Sequence, residues 1–301
     1  MPSATMTTTP LHHTRGLILI HIAVFLFGFA GLFGKFIDCT PLWIVLGRTI
    51  FASLALIIYA KLFSCTSLKV ATSKDLGFFV LQGILLALHW LSFFAAIQVS
   101  SVAVGLLTFS SFPLFVTFME PLFFKEPFKK VDVLTAVAVF AGIILVVPDM
   151  DFSNKVTLGS FYGLISGFTF AVLGLVNRRN ARHCHPVSAA FYQNLFAALS
   201  LITPVLVIQT PPPTPHDVFL LALLGVVFTA LAHACFITGL IRIRVQTASV
   251  IAGMEPVYGI LFAFILLGEI PNFSTLAGGI LIIGAVISAG LLEKTKTRYK
   301  A

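Results

Sequence analysis

The chain has 301 residues, of which 58% are hydrophobic and only 10% are charged, whereas a soluble domain carries roughly 25% charged residues. This deficit of charge excludes an ordinary water-facing surface, so most of the surface is expected to contact lipid. The formal net charge of +8 would suggest a nucleic-acid partner in a soluble protein, but here the basic residues lie between apolar segments, and we predict no nucleic-acid partner.

Ten apolar segments follow one another along the chain, separated by proline, glycine and charged residues. Each is close to the about 20 residues that a helix needs to cross a bilayer, and lipid does not tolerate unpaired backbone groups, so each is expected to be helical. The segments are 16–36, 41–63, 76–98, 101–124, 129–148, 158–177, 187–209, 217–240, 244–268 and 273–292. The predicted fold class is an all-α integral membrane protein with ten transmembrane helices.

Basic residues are distributed unevenly over the two sides of these segments. If successive loops alternate between the sides, 16 of the 19 Lys and Arg residues lie on one side. Lys35 and Lys155 lie on the other side, and Arg48 lies inside a segment. Because basic loops are retained in the cytoplasm, this pattern places both termini there and favours an even number of helices.

The two halves of the sequence resemble each other at a shift of 143 residues. The matching pairs include Gly16 with Gly159, Phe27 with Phe170, Pro113 with Pro256 and Glu126 with Glu269. We therefore predict two domains, residues 1–150 and residues 151–301, each with five helices. Because five is an odd number, the second unit must enter the membrane from the opposite side. Such an inverted repeat is typical of secondary transporters, whose substrate site lies near the midplane between the repeats.

Short motifs in the third, fourth and ninth segments carry a family resemblance. They are 89–97 (HWLSFFAAI), 100–103 (SSVA), 112–115 (FPLF), 254–257 (MEPV) and 267–269 (LGE). In order and spacing they resemble the EamA-type transporters of the drug/metabolite transporter superfamily, and the resemblance covers essentially the whole chain. It implies a ten-helix transporter of small metabolites such as amino acids, with cytoplasmic termini. It also implies that helices 1–4 and 6–9 enclose the cavity.

Ionisable side chains within the segments are candidates for the substrate site, since a charge at the bilayer centre costs about 2.5–3.5 kcal/mol on insertion scales. Glu255 lies near mid-depth in the ninth segment and is predicted to bind a substrate amine or a proton. His89 and His233 lie near the middle of the third and eighth segments, where an imidazole suits proton coupling. The alternative is structural: a hydrogen-bonded buried acid, or a neutral imidazole that bridges two helices.

Further candidates flank these residues. Gln82, His89 and Phe93 share one helical face, because separations of seven and four repeat the helical turn, and this face is predicted to line the cavity. Trp90 is predicted to stack on the substrate, with simple packing as the alternative. Tyr258, in the ninth segment, is also assigned to the substrate site.

Arg48 lies about seven residues into the second segment and is predicted to hold a substrate carboxylate or to pair with an acid. The alternative is that its side chain extends to the interface. Glu120, near the cytoplasmic end of the fourth segment, is assigned a gating or structural role. Pro113 and Pro256 are predicted hinges, because a proline can kink a helix. Packing is their alternative role.

The sequence shows no pattern for a metal or a cofactor. The four cysteines have no metal-ligand spacing, and no P-loop motif indicates the use of ATP. We therefore predict no cofactor and no metal, with energy supplied by the substrate gradient or by protons.

These features predict a secondary carrier that exports a small organic metabolite, such as an amino acid, across the bacterial cytoplasmic membrane by alternating access. An uptake carrier for a nucleotide-like metabolite or a nucleotide sugar is the alternative within this class. A membrane channel and an integral-membrane enzyme are the alternatives outside it. The expected partners are the substrate, the lipid bilayer and protons, and the oligomeric state stays open.

Overall fold

The computed structural model describes residues 10–62, 68, 70, 72–125, 130–147, 149, 151–180, 185–240, 242–243, 248 and 251–298. Within these ranges the regular elements are helices, and no strand occurs. In chain order the helices are α1 Pro10–Ala30, α2 Phe33–Phe36, α3 Pro41–Leu62, α4 Ser73–Val99, α5 Val102–Phe109, α6 Phe112–Phe124, α7 Lys130–Val146, α8 Lys155–Asn180, α9 Pro186–Ile208, α10 Pro215–Gly225, α11 Ala232–Leu240, α12 Glu255–Leu267 and α13 Phe273–Arg298. A π-helical segment, Val226–Leu231, connects α10 to α11.

Seven helical stretches in the described part of the chain are long and apolar enough to cross a membrane. They are Thr14–Phe36, Pro41–Leu62, Ser73–Val99, Val102–Phe124, Lys155–Arg179, Pro186–Ile208 and Pro215–Gly239. The chain is thus a multi-pass helical membrane protein. The count of ten spans, the opposed orientation of the two units and the boundary after residue 150 stay predictions. Glu126 and residues 244–247 lie outside the described residues.

The fourth and ninth predicted segments are interrupted in the structure. A turn at Ser110–Ser111 separates α5 from α6, and α6 begins with Pro113 in its first turn. A turn at Gly253–Met254 precedes α12, which carries Pro256 in its first turn. Proline suits this position, because the N–H that it lacks would have no acceptor within the helix. Both prolines therefore start a helix in this structure instead of kinking a continuous one.

The helices pack mainly across the two halves of the chain. In the first half, α4 contacts α8 and α9, α3 contacts α9 and α10, and α1 contacts α11 and α12. In addition, α5 contacts α8 and α12, and α7 contacts α13. Exchanging elements for their repeat-related counterparts reproduces several of these pairs: α4 with α8 becomes α11 with α1, and α4 with α9 becomes α10 with α3. The described contacts are therefore related in pairs, as the sequence repeat predicts.

A pair of glycines lets α1 and α12 approach closely. A Cβ atom added at Gly28 would lie 2.8 Å from the backbone oxygen of Glu255 and 2.9 Å from Cβ of Tyr258. A Cβ atom at Gly259 would lie 2.9 Å from the backbone oxygen of Gly28. Because such short contacts are repulsive, any side chain here would separate the two helices. The close approach places the first turn of α12 beside the α1 residues that follow Phe27.

Candidate substrate cavity

A cavity of about 740 Å³ is lined by helices from both halves of the chain. Its volume lies within the range of about 300–1,000 Å³ that is typical of small-molecule sites. Its aromatic lining consists of Phe27, Phe109, Phe112, Phe170 and Phe236. Its polar lining consists of Gln82, Ser110, Asp132, Asn177, Gln193, His233 and Glu255. This mixture of many apolar surfaces and a few polar groups is the usual character of a ligand site.

Five pairs of lining residues are related by the shift of 143 residues. They are Phe27 with Phe170, Phe109 with Ala252, Ser110 with Gly253, Phe112 with Glu255 and Pro113 with Pro256. The cavity is therefore lined by equivalent positions of the two halves. The pair Phe112 and Glu255 differs in chemistry, because a phenyl ring in one half corresponds to a carboxylate in the other.

Glu255 lines the cavity from the first turn of α12, where its side chain is half-buried. A carboxylate is stabilised in a first helical turn by the partial positive charge of the helix N-terminus. Among the residues that the structure describes, none forms a hydrogen bond or ion pair with the Glu255 side chain. The carboxylate is therefore accessible to a bound solute.

Gln82 lines the cavity from α4, although only 1% of its surface is exposed. Its Oε1 atom has no hydrogen-bond partner within the described ranges. An unpaired buried acceptor costs about 1–3 kcal/mol. Because less than 1 Å² of Oε1 is exposed, this acceptor does not face the cavity, and Gln82 lines the cavity through its other atoms.

His233 lines the cavity from α11, and its ring lies edge-on to Phe27 at a centroid distance of 5.2 Å. Its Nδ1 atom lies 2.8 Å from the carbonyl oxygen of Thr229. Because a carbonyl oxygen only accepts, Nδ1 carries a proton, and Nε2 of the neutral ring is an acceptor. Thr229 belongs to the π-helical segment, a feature that often occurs at functional sites.

Arg48 lies behind the cavity wall and is not among the described residues that line it. Its side chain is 4% exposed, and its Nε donates to Oγ1 of Thr229 at 2.8 Å. The guanidinium carbon lies 3.8 Å from the ring centroid of Trp90. Arg48 thus joins α3 to the π-helical segment and to α4, and it lies within electrostatic range of Glu255.

His89 also lies behind the wall, with 5% of its surface exposed. Its Nδ1 lies 3.2 Å from the carbonyl oxygen and 2.8 Å from the hydroxyl oxygen of Ser166, which joins α4 to α8. Its ring centroid lies 4.9 Å from that of Phe170 and 5.1 Å from that of Phe109. In this conformation His89 supports two rings that face the cavity.

Trp90, Phe93 and Tyr258 are not part of the described cavity lining. Trp90 and Phe93 belong to the apolar core, each with 6% of its surface exposed. Tyr258 lies edge-on to Phe25 of α1, at a centroid distance of 5.9 Å. These three aromatic residues hold the helices that surround the cavity.

The residues with predicted gating roles occupy different places. Pro113 and Pro256 line the cavity at the two helix breaks. Glu120 lies away from the lining and forms an ion pair with Arg178, which joins α6 to α8. The guanidinium of Arg178 also lies 4.3 Å from the ring centroid of Phe124. The structure thus brings Gln82, His233 and Glu255 to one cavity together with the two prolines.

None of the five lining phenylalanines is among the predicted site residues. They carry no charge, and apart from the FPLF motif nothing in their local sequence distinguishes them from lipid-facing phenylalanines. The repeat contains the signal that finds two of them, because positions 109 and 112 align with positions 252 and 255. Residues on a pseudo-symmetry axis can therefore be sought by aligning the two halves.

The cavity extends from mid-depth towards the face that carries most of the basic residues, which we call the basic face. Asn177 lies in the last turn of α8, Pro186 starts α9 and Asp132 lies in the first turn of α7. These helix ends all lie next to the basic loops. The lining residues of α4, α9 and α12 stop well before the opposite ends of those helices.

Hydrogen bonds cross between the two halves at the opposite face, which we call the outer face. The backbone N–H of Asp38 donates to Oδ1 of Asp217 at 3.1 Å. The backbone N–H of Val102, at the start of α5, donates to Oε2 of Glu269 at 2.9 Å. The halves are therefore joined beyond the inner end of the cavity.

The fold and the cavity together define a helical membrane protein built from two related units around a central solute-sized space. Residues 14–147 and residues 157–290 each match the EamA-like transporter family. The chain belongs to this family, so the resemblance in the sequence motifs is confirmed. Membership indicates a transporter rather than an enzyme, with a small-molecule substrate and a lipid environment.

Several known proteins are similar to the chain. An uncharacterized transporter of Archaeoglobus fulgidus is 27% identical over 66% of this chain and 70% of its own length. The pseudopaline exporter CntI of Pseudomonas aeruginosa is 26% identical over 72% and 75%. Human solute carrier family 35 member G1 is 24% identical over 92% and 79%. A solved crystal structure with 18% identity covers 93% of this chain at a TM-score of 0.65, which shows a shared fold.

Proposed function

We propose that the protein is a secondary carrier that exports a small organic metabolite across the bacterial cytoplasmic membrane by alternating access. The observation that carries this proposal is the cavity between the halves, which reaches the basic face while hydrogen bonds join the halves at the outer face. A carrier needs a site that is open to one side at a time. The similarity to a named exporter supports the direction.

The proposed orientation follows from the basic residues. Loops rich in Lys and Arg are retained in the cytoplasm, so the basic face is cytoplasmic and both termini lie there. The cavity is then an inward-facing site that loads from the cytoplasm. Ten spans in two inverted five-helix units account for this arrangement, because each unit supplies one wall of the site.

The proposed substrate site consists of Glu255, Gln82 and His233 within the aromatic lining. Arg48 and His89 hold the wall behind it through Thr229 and Ser166 respectively. The breaks before Pro113 and Pro256 supply the points at which the two halves rotate. Opening of the outer face would require that the bond between Val102 and Glu269 is broken.

The accessibility of introduced cysteines tests whether the cavity opens to one face of the membrane at a time. Ala252 lines the cavity, and Ala52 is fully buried in α3 and serves as the matched control. We expect Ala252→Cys to react faster with a membrane-impermeant maleimide in inside-out vesicles than in right-side-out vesicles, because the cavity of this conformation opens to the basic face, while Ala52→Cys reacts in neither. Cys65, Cys184 and Cys235 would be replaced by serine.

Cys39, the native cysteine that remains, is expected to react slowly with the maleimide. Burial, and then the charges of Asp217 and Asp38, raise the pKa of Cys39 to about 12, and a protonated thiol is a weak nucleophile. Equally fast reaction of Ala252→Cys from both faces would indicate a channel and contradict the proposal. No reaction from either face would show that the cavity is sealed, and the carrier mechanism would then be wrong.

A further inference from the structure

We infer that the carried solute is an organic cation, in which a primary or secondary ammonium group is attached to an aromatic or aliphatic body. This inference rests on the proposed function and names the chemical class of its substrate. It follows from the hydrogen-bonding character and the charge of the groups that face the cavity.

Two polar groups that line the cavity, on α12 and α11, offer acceptors to a solute. The Glu255 carboxylate accepts only, and it is not engaged by another described side chain. The neutral His233 ring presents Nε2 as an acceptor, because its Nδ1 proton is donated to the carbonyl oxygen of Thr229. Two acceptors on different helices are complementary to the N–H donors of an ammonium group.

No lysine or arginine is among the described residues that line the cavity. Arg48, the nearest buried cation, is covered by Trp90 and directed to Thr229. Recognition of a carboxylate or phosphate normally uses a directly contacting Arg or Lys. A solute anion in this cavity would meet the Glu255 carboxylate without such a partner, and Asp132 adds a second carboxylate towards the basic face.

The aromatic lining completes the recognition of a cation. Five phenylalanine rings surround the polar groups, and Phe27 lies directly against His233. The electron-rich face of an aromatic ring attracts a cation and contributes more when water is excluded. The same rings bury an aromatic or aliphatic body, so both parts of the solute have a matching surface.

Three probes with the same phenyl body separate the charge classes: 2-phenylethylamine is a cation, phenylalanine a zwitterion and 3-phenylpropionate an anion at neutral pH. We expect 2-phenylethylamine to raise the melting temperature of the purified protein and to drive counterflow in proteoliposomes. We expect Glu255→Gln to weaken its binding by about tenfold or more, since the amide oxygen still accepts but the attraction between the carboxylate and the ammonium charge is lost. Asp151→Asn removes an exposed carboxylate far from the cavity and should bind as the native protein does.

The outcomes separate this inference from the proposed function. Counterflow of phenylalanine or 3-phenylpropionate without 2-phenylethylamine would leave the carrier intact and overturn the cation class. Equal binding of 2-phenylethylamine to the native protein and to Glu255→Gln would overturn it as well. Binding of none of the three probes would also reject the class, while the maleimide assay would still decide whether the cavity opens to one side.

Discussion

The breaks before α6 and before α12 occupy equivalent places in the two halves, yet they differ in chemistry. Each break consists of a turn and then a helix with proline in its first turn, and each lines the cavity. The first helical residue is Phe112 in one half and Glu255 in the other. The repeat therefore supplies equivalent backbones at the two breaks, while a different residue at a single position makes the site polar on one side.

A second asymmetry lies behind the wall. Arg48 aligns with Phe191 at the shift of 143 residues, so only one half has a buried cation in this position. Phe191 packs with Leu56 and Ala230 in a small apolar cluster. The half-site with Glu255 therefore has a charged counterpart within electrostatic range, and the equivalent position behind Phe112 holds a phenyl ring instead.

The largest effect on binding is expected when the first helical residues of the two breaks, Phe112 and Glu255, are exchanged. Glu255→Phe should weaken binding of 2-phenylethylamine by at least about tenfold, because the charged acceptor is removed. Adding Phe112→Glu returns a carboxylate to the symmetry-related wall of the same cavity, and binding should recover to within about tenfold of the native protein. Thermal-shift titration measures both. A double variant that binds no better than Glu255→Phe would contradict the equivalence of the two positions.

Removal of the Thr229 hydroxyl tests whether the buried Arg48 stabilises the wall in its half of the protein. Thr229→Val deprives the buried Nε of Arg48 of its acceptor, which should lower the free energy of unfolding by about 1–3 kcal/mol. Thr229→Ser keeps the hydroxyl and should retain most of the stability. Thermal or denaturant unfolding in detergent compares the two variants. Equal stability of both variants would show that the hydrogen bond contributes nothing to the wall.

Each break is packed against a glycine from the other half. A Cβ at Gly28 would meet the backbone oxygen of Glu255 at 2.8 Å, and a Cβ at Gly167 would meet the Ser111 hydroxyl at 2.5 Å. Gly28→Ala and Gly167→Ala should each cost about 1–3 kcal/mol of unfolding free energy through overpacking. Only Gly28→Ala should also weaken binding, because it displaces Glu255. Gly174→Ala, which meets open space, is the control and should not destabilise the protein.

The smallest effect is expected at the ion pair beside the first break. Glu120 and Arg178 have 32% and 46% of their side-chain surfaces exposed, so solvent screens their attraction. Glu120→Gln should change the free energy of unfolding by less than about 1 kcal/mol. Chemical denaturation measures this change. A loss of several kcal/mol would mean that this ion pair holds the halves together as firmly as the packing does.

The predicted helices and the transporter family followed from sequence because their signals are local or cumulative. Apolar length, basic loops and the motifs around Trp90 and Glu255 can be read without knowledge of side-chain contacts. The residues that line the cavity were harder to predict from the sequence. Arg48 and His89 are as polar in sequence as His233, and only their partners, Thr229 and Ser166, show that they lie behind the wall.

By itself the sequence determined that this chain lies in lipid, that it is helical and that it consists of two related units, since each of these properties sums over many residues. The tertiary structure decided which polar groups reach the cavity. That choice depends on helix rotation and on a few close contacts, such as those at Gly28, and a rotation of a fraction of a turn would exchange a lining residue for a buried one. The arrangement of groups that could bind a solute therefore depends on how the helices pack, and it cannot be derived from the sequence repeat alone.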